Sequence, residues 1–299
     1  MDLFQLLQQS SANLITVSFV LGLLVGSFLN VVIYRLPIML QRNWRQQCCE
    51  LLEIQDPQPA KKNSPLSGKN LSLAEPASHC PQCQHNIRAW ENIPLVSYVL
   101  LGGRCASCKV RIPVRYPAVE LATGFLSALV AVNFGATWLT LALLLFVWAL
   151  VALTMIDFDH QLLPDNITLP LLWLGLAVNT WDLGTGVTTQ ESVLGAAGGY
   201  LSLWSVYWVF KLATGKDGMG YGDFKLLAAL GAWMGWQALF PIVLLSSLAG
   251  VTYGIGSTLL MSRDKSAPMP FGPFLAGAGL IMMIWGHQIY SFYITRFLP

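Results

Sequence analysis

Eight apolar runs, most of them near the length needed to cross a bilayer, constrain this chain more than anything else in it. They lie at residues 14–34, 119–134, 137–156, 167–181, 193–212, 224–236, 239–260 and 271–294. Crossing the hydrocarbon core takes about 20 mostly apolar residues in helical form. Only helices and closed barrels satisfy every backbone polar group in lipid, and runs this long and continuous are those of helices. Charged residues make up only 11% of the 299, against about 25% in an ordinary soluble domain. A soluble globular protein is thereby excluded. The expected fold is an all-α polytopic membrane helix bundle of about eight transmembrane helices. The run at 224–236 is short and reads as half-buried or as one arm of a hairpin with its neighbour. The first run is longer than a signal-peptide core of roughly 7–15 residues, so it reads as a retained helix.

Charge placement orients the bundle. Eleven of the 17 Lys and Arg residues fall between Arg35 and Tyr116. Short loops rich in Lys and Arg stay on the cytoplasmic side, which makes 35–116 a cytoplasmic loop. Alternation then places the chain near 157–165, 211–223 and 263–265 on the same side. It places 134–137, 182–191 and 235–239 on the far side. Of the six remaining basic residues only Arg296 falls on the far side, a test that the runs themselves did not supply. Three parts are expected: a first transmembrane helix (1–34), a cytoplasmic loop (35–116) and a polytopic domain (117–299). Within the loop, 46–78 carries Pro57, Pro59, Pro65 and Pro76 among Gln, Ser and Asn and reads as a flexible insertion. The net charge of +2 names no partner, and no nucleic-acid partner is expected.

The loop contains Cys80-Pro-Gln-Cys83 and Cys105-Ala-Ser-Cys108. Each C-x2-C pair can offer two thiolates to one ion from a tight turn, and two such knuckles complete a tetrahedral Zn²⁺ site. A reducing cytoplasm disfavours disulfides; redox-active or incidental cysteines are the remaining alternative. A closed four-thiolate site leaves no open coordination position, so the metal is expected to be structural. His79 and His85 flank the first knuckle as possible substitute ligands. Cys48 and Cys49 lie in the insertion and look incidental.

Two carboxylates sit at span boundaries. Asp157 ends the run at 137–156, in Asp157-Phe-Asp-His-Gln-Leu-Leu-Pro-Asp165. Asp223 follows Gly220-Tyr-Gly and opens the next short run. Ionisable groups at a membrane boundary are costly and are candidates for function. Both belong to the cytoplasmic side in the topology above, so they can meet. A pair of close carboxylates suits general acid–base hydrolysis: one activates water and the other protonates the scissile carbonyl. Gly220 and Gly222 allow close approach of backbone or substrate. The bland alternative is helix capping, which Asp223 and Asp165 could each serve; Asp157, at a helix C-terminus, would oppose the macrodipole. Two other classes compete. In a non-enzymatic assembly module the acids would be caps. A proton or ion transporter would need acids deeper in the spans, and few are there.

At these residues the sequence resembles the type IV prepilin peptidases, aspartic proteases of the GxGD type. The resemblance rests on Gly220-Tyr-Gly-Asp223 and 157–165. It extends to Gly26-Ser-Phe-Leu-Asn-Val-Val-Ile-Tyr-Arg-Leu-Pro37, the cysteine tetrad, Trp90-Glu-Asn-Ile-Pro-Leu-Val-Ser-Tyr98, Arg115-Tyr-Pro-Ala-Val-Glu-Leu-Ala-Thr123 and Pro270-Phe-Gly-Pro273. It implies a bifunctional enzyme of the bacterial inner membrane. Such an enzyme cleaves the leader of prepilins and pseudopilins after a Gly, with Asp157 and Asp223 as catalytic residues. It then N-methylates the new terminus with S-adenosylmethionine. It serves type IV pilus biogenesis or type II secretion, and contact with that machinery is implied. The cysteine loop belongs to the form that also methylates. No Gly-rich fingerprint marks a donor site in the sequence itself; Glu91 and Arg115 are its polar candidates.

Overall fold

The computed structural model describes residues 10–54, 71–261 and 269–297. Every regular element among them is helical. In chain order the α-helices are α1 (Ser11–Leu51), α2 (Val96–Leu100), α3 (Arg115–Phe134), α4 (Trp138–His160), α5 (Asp165–Thr180), α6 (Thr189–Thr214), α7 (Tyr221–Met234), α8 (Leu239–Met261) and α9 (Gly272–Phe297), with short 3-10 turns at Ala89–Asn92 and Trp236–Ala238. Each of the eight apolar runs is thus a helix. Five helical segments, α1, α3, α4, α6 and 236–259, are long and apolar enough to cross a membrane. The chain is an all-α polytopic bundle with a cysteine-cluster loop.

Two boundaries differ from expectation. The first helix does not end where its apolar run ends; it continues through Pro37 to Leu51. Residues 38–51 hold Gln, Arg, Leu and Glu but no Gly, and such residues propagate a helix well in water. The Gln46 side chain donates to Glu50 one turn on at 2.8 Å. Hydropathy reads where lipid ends, not where a helix ends. The expected flexible insertion at 46–78 is therefore helical at its start. Its centre, 55–70, lies outside the described residues. Residues 72–76 are held in place by Arg35, a buried side chain that donates to the carbonyls of Ser72, Leu73 and Pro76.

The chain divides into two compact units, the first ending at Leu129 and the second beginning at Val130. In the first, α1 and α3 pack through small residues: a Cβ on Gly26 would sit 2.7 Å from the Glu120 backbone. Such close contact is how helices associate in lipid.

The second unit is built around α7. At 14 residues it spans only about 21 Å, short of the ~30 Å hydrocarbon core, and almost all of it is buried. Phe224, Leu226, Leu227, Leu230 and Trp233 have essentially no exposure. It packs most extensively on α6 and α5. Gly199 of α6 lies so close that a Cβ there would be 2.6 Å from the Leu227 carbonyl oxygen. Because the C-terminal end of α7 is buried, its last carbonyls need partners. Asn179 donates to Ala232 O at 2.7 Å and to Trp233 O at 3.2 Å, and Ser192 donates to Ala232 O. The Trp233 ring packs 4.8 Å from Phe146 of α4, and its indole N–H donates to Leu171 O at 2.9 Å.

Candidate functional site

Asp157 lies in the last turn of α4 and is 5% exposed; Asp223 lies in the first turn of α7 and is 8% exposed. Neither is a cap. The N-cap of α7 is Gly220, with no side-chain capping bond, and Asp157 sits within its helix. The two are brought to one place by a shared neighbour. A Cβ on Gly222 would meet Leu163 Cβ at 2.8 Å, and a Cβ on Gly272 would meet Leu163 Cδ2 at 3.1 Å. The Gly272 backbone N–H donates to Asp157 Oδ2 at 3.0 Å. The carboxylates are near enough to act on one another electrostatically.

Three segments far apart in sequence thus converge: the end of α4 with its following turn, the glycine-rich entry to α7, and the start of α9. Glycine is needed at two of these contacts. Any side chain at 272 would reach 2.7 Å from Asp157 Oδ2, and any at 222 would press on Leu163. Of the other acids in the 157–165 motif, Asp159 is exposed. Asp165 forms an ion pair with Lys225, both carboxylate oxygens 2.7 Å from its Nζ. That pair joins the start of α5 to the N-terminal half of α7. Sequence reasoning gave Gly272 and Leu163 no role. Their signal was present: Pro270-Phe-Gly-Pro273 is helix-start punctuation just ahead of a span.

The arrangement provides two buried carboxylates, a backbone donor fixing one of them, and little bulk around them. Two acids so placed can divide the labour of proton donor and proton acceptor.

In the first unit the four cysteines come together with all Sγ atoms within 4.8 Å of one another. Cys80 Sγ lies 3.7 Å from Cys108 Sγ, and Cys83 Sγ 3.9 Å from Cys105 Sγ. Thiolates at about 2.3 Å from a tetrahedral ion lie about 3.8 Å apart, so the cluster fits such an ion.

The two knuckles are built alike. In one, Cys80 N–H donates to His85 O and Gln84 N–H to Cys80 O; in the other, Cys105 N–H donates to Val110 O and Lys109 N–H to Cys105 O. Gln84 and Lys109 both take positive φ, 60° and 59°. The bridges His79–Asn86 and Arg104–Arg111 close the two turns. The His85 backbone, above all, draws the Cys83 thiol down to about 7, whereas burial and the neighbouring thiols push Cys108 up to about 11. His85 itself turns to Glu91, 3.2 Å away, and His79 Nδ1 meets Ala77 O, so neither imidazole joins the cluster. The Arg88 N–H holds Glu91 below the ordinary carboxylate range, with His85 assisting. Arg115 begins α3 and is exposed. Cys48 and Cys49 ride on the end of α1.

The second carboxylate of this unit was not singled out from sequence. Glu120 is 8% exposed and accepts from Leu95 N–H at 3.0 Å. It anchors the 90–98 segment, where Leu95 itself has φ of 60°.

Comparison with known proteins agrees across both units. The bacterial peptidase A24 N-terminal domain model matches residues 20–134, and the type IV leader peptidase family model matches 144–255. A prepilin leader peptidase/N-methyltransferase of Stutzerimonas stutzeri is 54% identical over 92% of this chain and 92% of its own length. The chain belongs to this family. A relative of the same name from Pseudomonas aeruginosa is 52% identical over 98% of each chain, and one from Burkholderia pseudomallei 46% identical over 91% of this chain and 85% of its own. No solved structure matches the chain significantly.

Proposed function

We propose that this chain carries out both activities in its relatives' name, and that each of its two units carries one of them. It is an enzyme: a membrane aspartic endopeptidase that removes the leader of prepilins and pseudopilins, and an N-methyltransferase that modifies the terminus so exposed. Asp157 and Asp223 are the catalytic residues of the first reaction. One carboxylate takes a proton from water while the other donates one to the scissile carbonyl, so that water attacks without a covalent enzyme intermediate. The observation that carries this reading is the convergence of Asp157, Gly272, Leu163, Gly222 and Asp223 from three distant segments. Burying two carboxylates side by side is costly, and the single backbone donors that meet them, Gly272 N–H at Asp157 and Gly220 N–H at Asp223, leave most of that cost for function to explain.

S-adenosylmethionine supplies the methyl group when bound, and the 10–129 unit with its polar 71–114 segment is where we place that activity. Zn²⁺ on Cys80, Cys83, Cys105 and Cys108 holds the segment in shape and takes no part in chemistry. The protein resides in the bacterial inner membrane, with the long loop and both aspartates at the cytoplasmic face. The support is the Lys and Arg bias of 35–116 and the side of the bundle on which 157–165 and 211–223 fall. A prepilin lying with its apolar helix in the bilayer presents its leader junction at that boundary. The products serve a type IV pilus or a type II secretion system.

Incubation of the protein in membranes with a prepilin and labelled S-adenosylmethionine tests the whole reading. Mass spectrometry is expected to find the leader removed and one labelled methyl on the new terminus. Asp157→Ala and Asp223→Ala proteins that still cleave would end the peptidase assignment.

A further inference from the structure

Asp223 is placed by what precedes it. The six residues between α6 and α7 contain three glycines, Gly215, Gly218 and Gly220, and would by composition be a loose connection. One buried side chain of α6 holds both the middle of it and the helix turn that follows it. Tyr207 is 5% exposed. Its hydroxyl donates to Asp217 Oδ1 at 2.7 Å, inside the connection. Its ring lies 5.4 Å from that of Tyr221 and 5.8 Å from that of Phe224, in the first turn of α7 on either side of Asp223.

Neighbouring groups complete the arrangement. Lys211 Nζ, one turn on from Tyr207, donates to the Tyr207 hydroxyl at 3.0 Å and lies 2.9 Å from Asp217 Oδ1. Hydrogen bonds from Tyr207 and then Lys211 hold Asp217 below the ordinary carboxylate range. The Phe210 ring fills the space beside Gly218. The Lys211–Asp217 pair is exposed, 39% and 72% at its side chains, and a surface ion pair of this kind contributes little. The buried member, Tyr207, is the one that links the connection to the helix.

We propose that Tyr207 is a positioning residue for Asp223. It fixes the connection through Asp217 and the first turn of α7 through Tyr221 and Phe224, so that the Asp223 carboxylate arrives at Asp157 in register. This rests on the peptidase reading above. A catalytic group displaced by about 1 Å can lose on the order of 100-fold in rate, and a glycine-rich connection without this anchor permits such displacement.

The test compares Tyr207→Phe, Asp217→Ala and Asp217→Asn in the full protein, with Asp223→Asn as reference. Steady-state cleavage of a prepilin is read together with the unfolding temperature and with N-methylation of an already cut pilin. The expected result for Tyr207→Phe and Asp217→Ala is a fall in kcat of about tenfold, with KM, unfolding temperature and methylation unchanged. Asp217→Asn, whose amide oxygen still accepts from Tyr207, recovers most of the rate. Wild-type kcat in Asp217→Ala beside an inactive Asp223→Asn overturns the positioning role alone. A parallel loss of cleavage, methylation and unfolding temperature overturns it too, since that is what an ordinary core tyrosine would give. Cleavage by Asp223→Asn removes the peptidase reading itself.

Discussion

The two units of this protein solve the same problem, holding polar groups in a fixed arrangement, by opposite means. Around Asp157 and Asp223 the means is packing. Helix α7 is buried over nearly its whole length, and glycines at 199, 222 and 272 bring backbone to within contact of its neighbours. Around the cysteine cluster packing is scarce. The 3-10 turn Ala89–Asn92 and helix α2 bury none of their residues, and in the two knuckles only Cys80 and Cys105 are buried. A segment that leaves so much of its apolar surface unburied, Trp90, Val99 and Leu100 among it, needs another source of order, and a chelated ion is a common one in small folds. Each unit is therefore vulnerable in its own way: the helical site to added volume, the loop to loss of its ligands.

The sharpest way to separate them is through the acids. Asp157→Asn or Asp223→Asn is expected to reduce prepilin cleavage by about 10²–10⁴-fold, while methylation of a pre-cut pilin proceeds at the wild-type rate. Equal loss of both reactions would erase the distinction drawn between the units.

Removing ligands attacks the other side. On the proposed Zn²⁺ assignment, Cys80→Ser with Cys105→Ser, or exhaustive chelation, is expected to lower bound metal from one ion per chain towards none. Elemental analysis of the purified protein reads this directly. N-methylation should fall further than cleavage, because the loop loses the ion that orders it.

Added volume should do the reverse. Gly272→Ala would place a methyl 2.7 Å from Asp157 Oδ2. Cleavage kcat is expected to fall by about 100-fold with metal content untouched. A wild-type rate would mean that the start of α9 does not shape the site.

The smallest effect concerns packing alone. Asn179→Ala leaves the buried carbonyls of Ala232 and Trp233 without that donor, a loss of about 1–3 kcal/mol. The unfolding temperature should drop while kcat at permissive temperature stays unchanged, since these bonds lie at the end of α7 away from Asp223. A fall in kcat would show that the two ends of α7 are coupled.

Much of this was legible in the chain. The cysteine tetrad could be read because each knuckle is local: two thiols three positions apart on one turn, with the rest set by metal geometry. The eight helices could be read because lipid imposes length and apolarity on a segment by itself. The reach of α1 to Leu51 could not, since hydropathy ends at the membrane while helix propensity does not. Nor did the sequence mark Glu120, which looks like any polar residue near a helix start until Leu95 N–H is seen to need it.

The sequence alone specified a membrane-spanning helical chain, a four-thiol cluster and two boundary aspartates as candidates, and its charge bias gave an expectation for the side of the membrane on which the basic loop belongs. Each is a property of a short segment and its solvent. Only the tertiary structure decided that α7 is the buried centre of its unit. It alone placed Leu163 and Gly272 beside the acids, and Tyr207 beneath the entry to α7. Those are contacts between segments tens of residues apart. They depend on which helix faces pack together, and that choice is made by the volumes of many side chains at once.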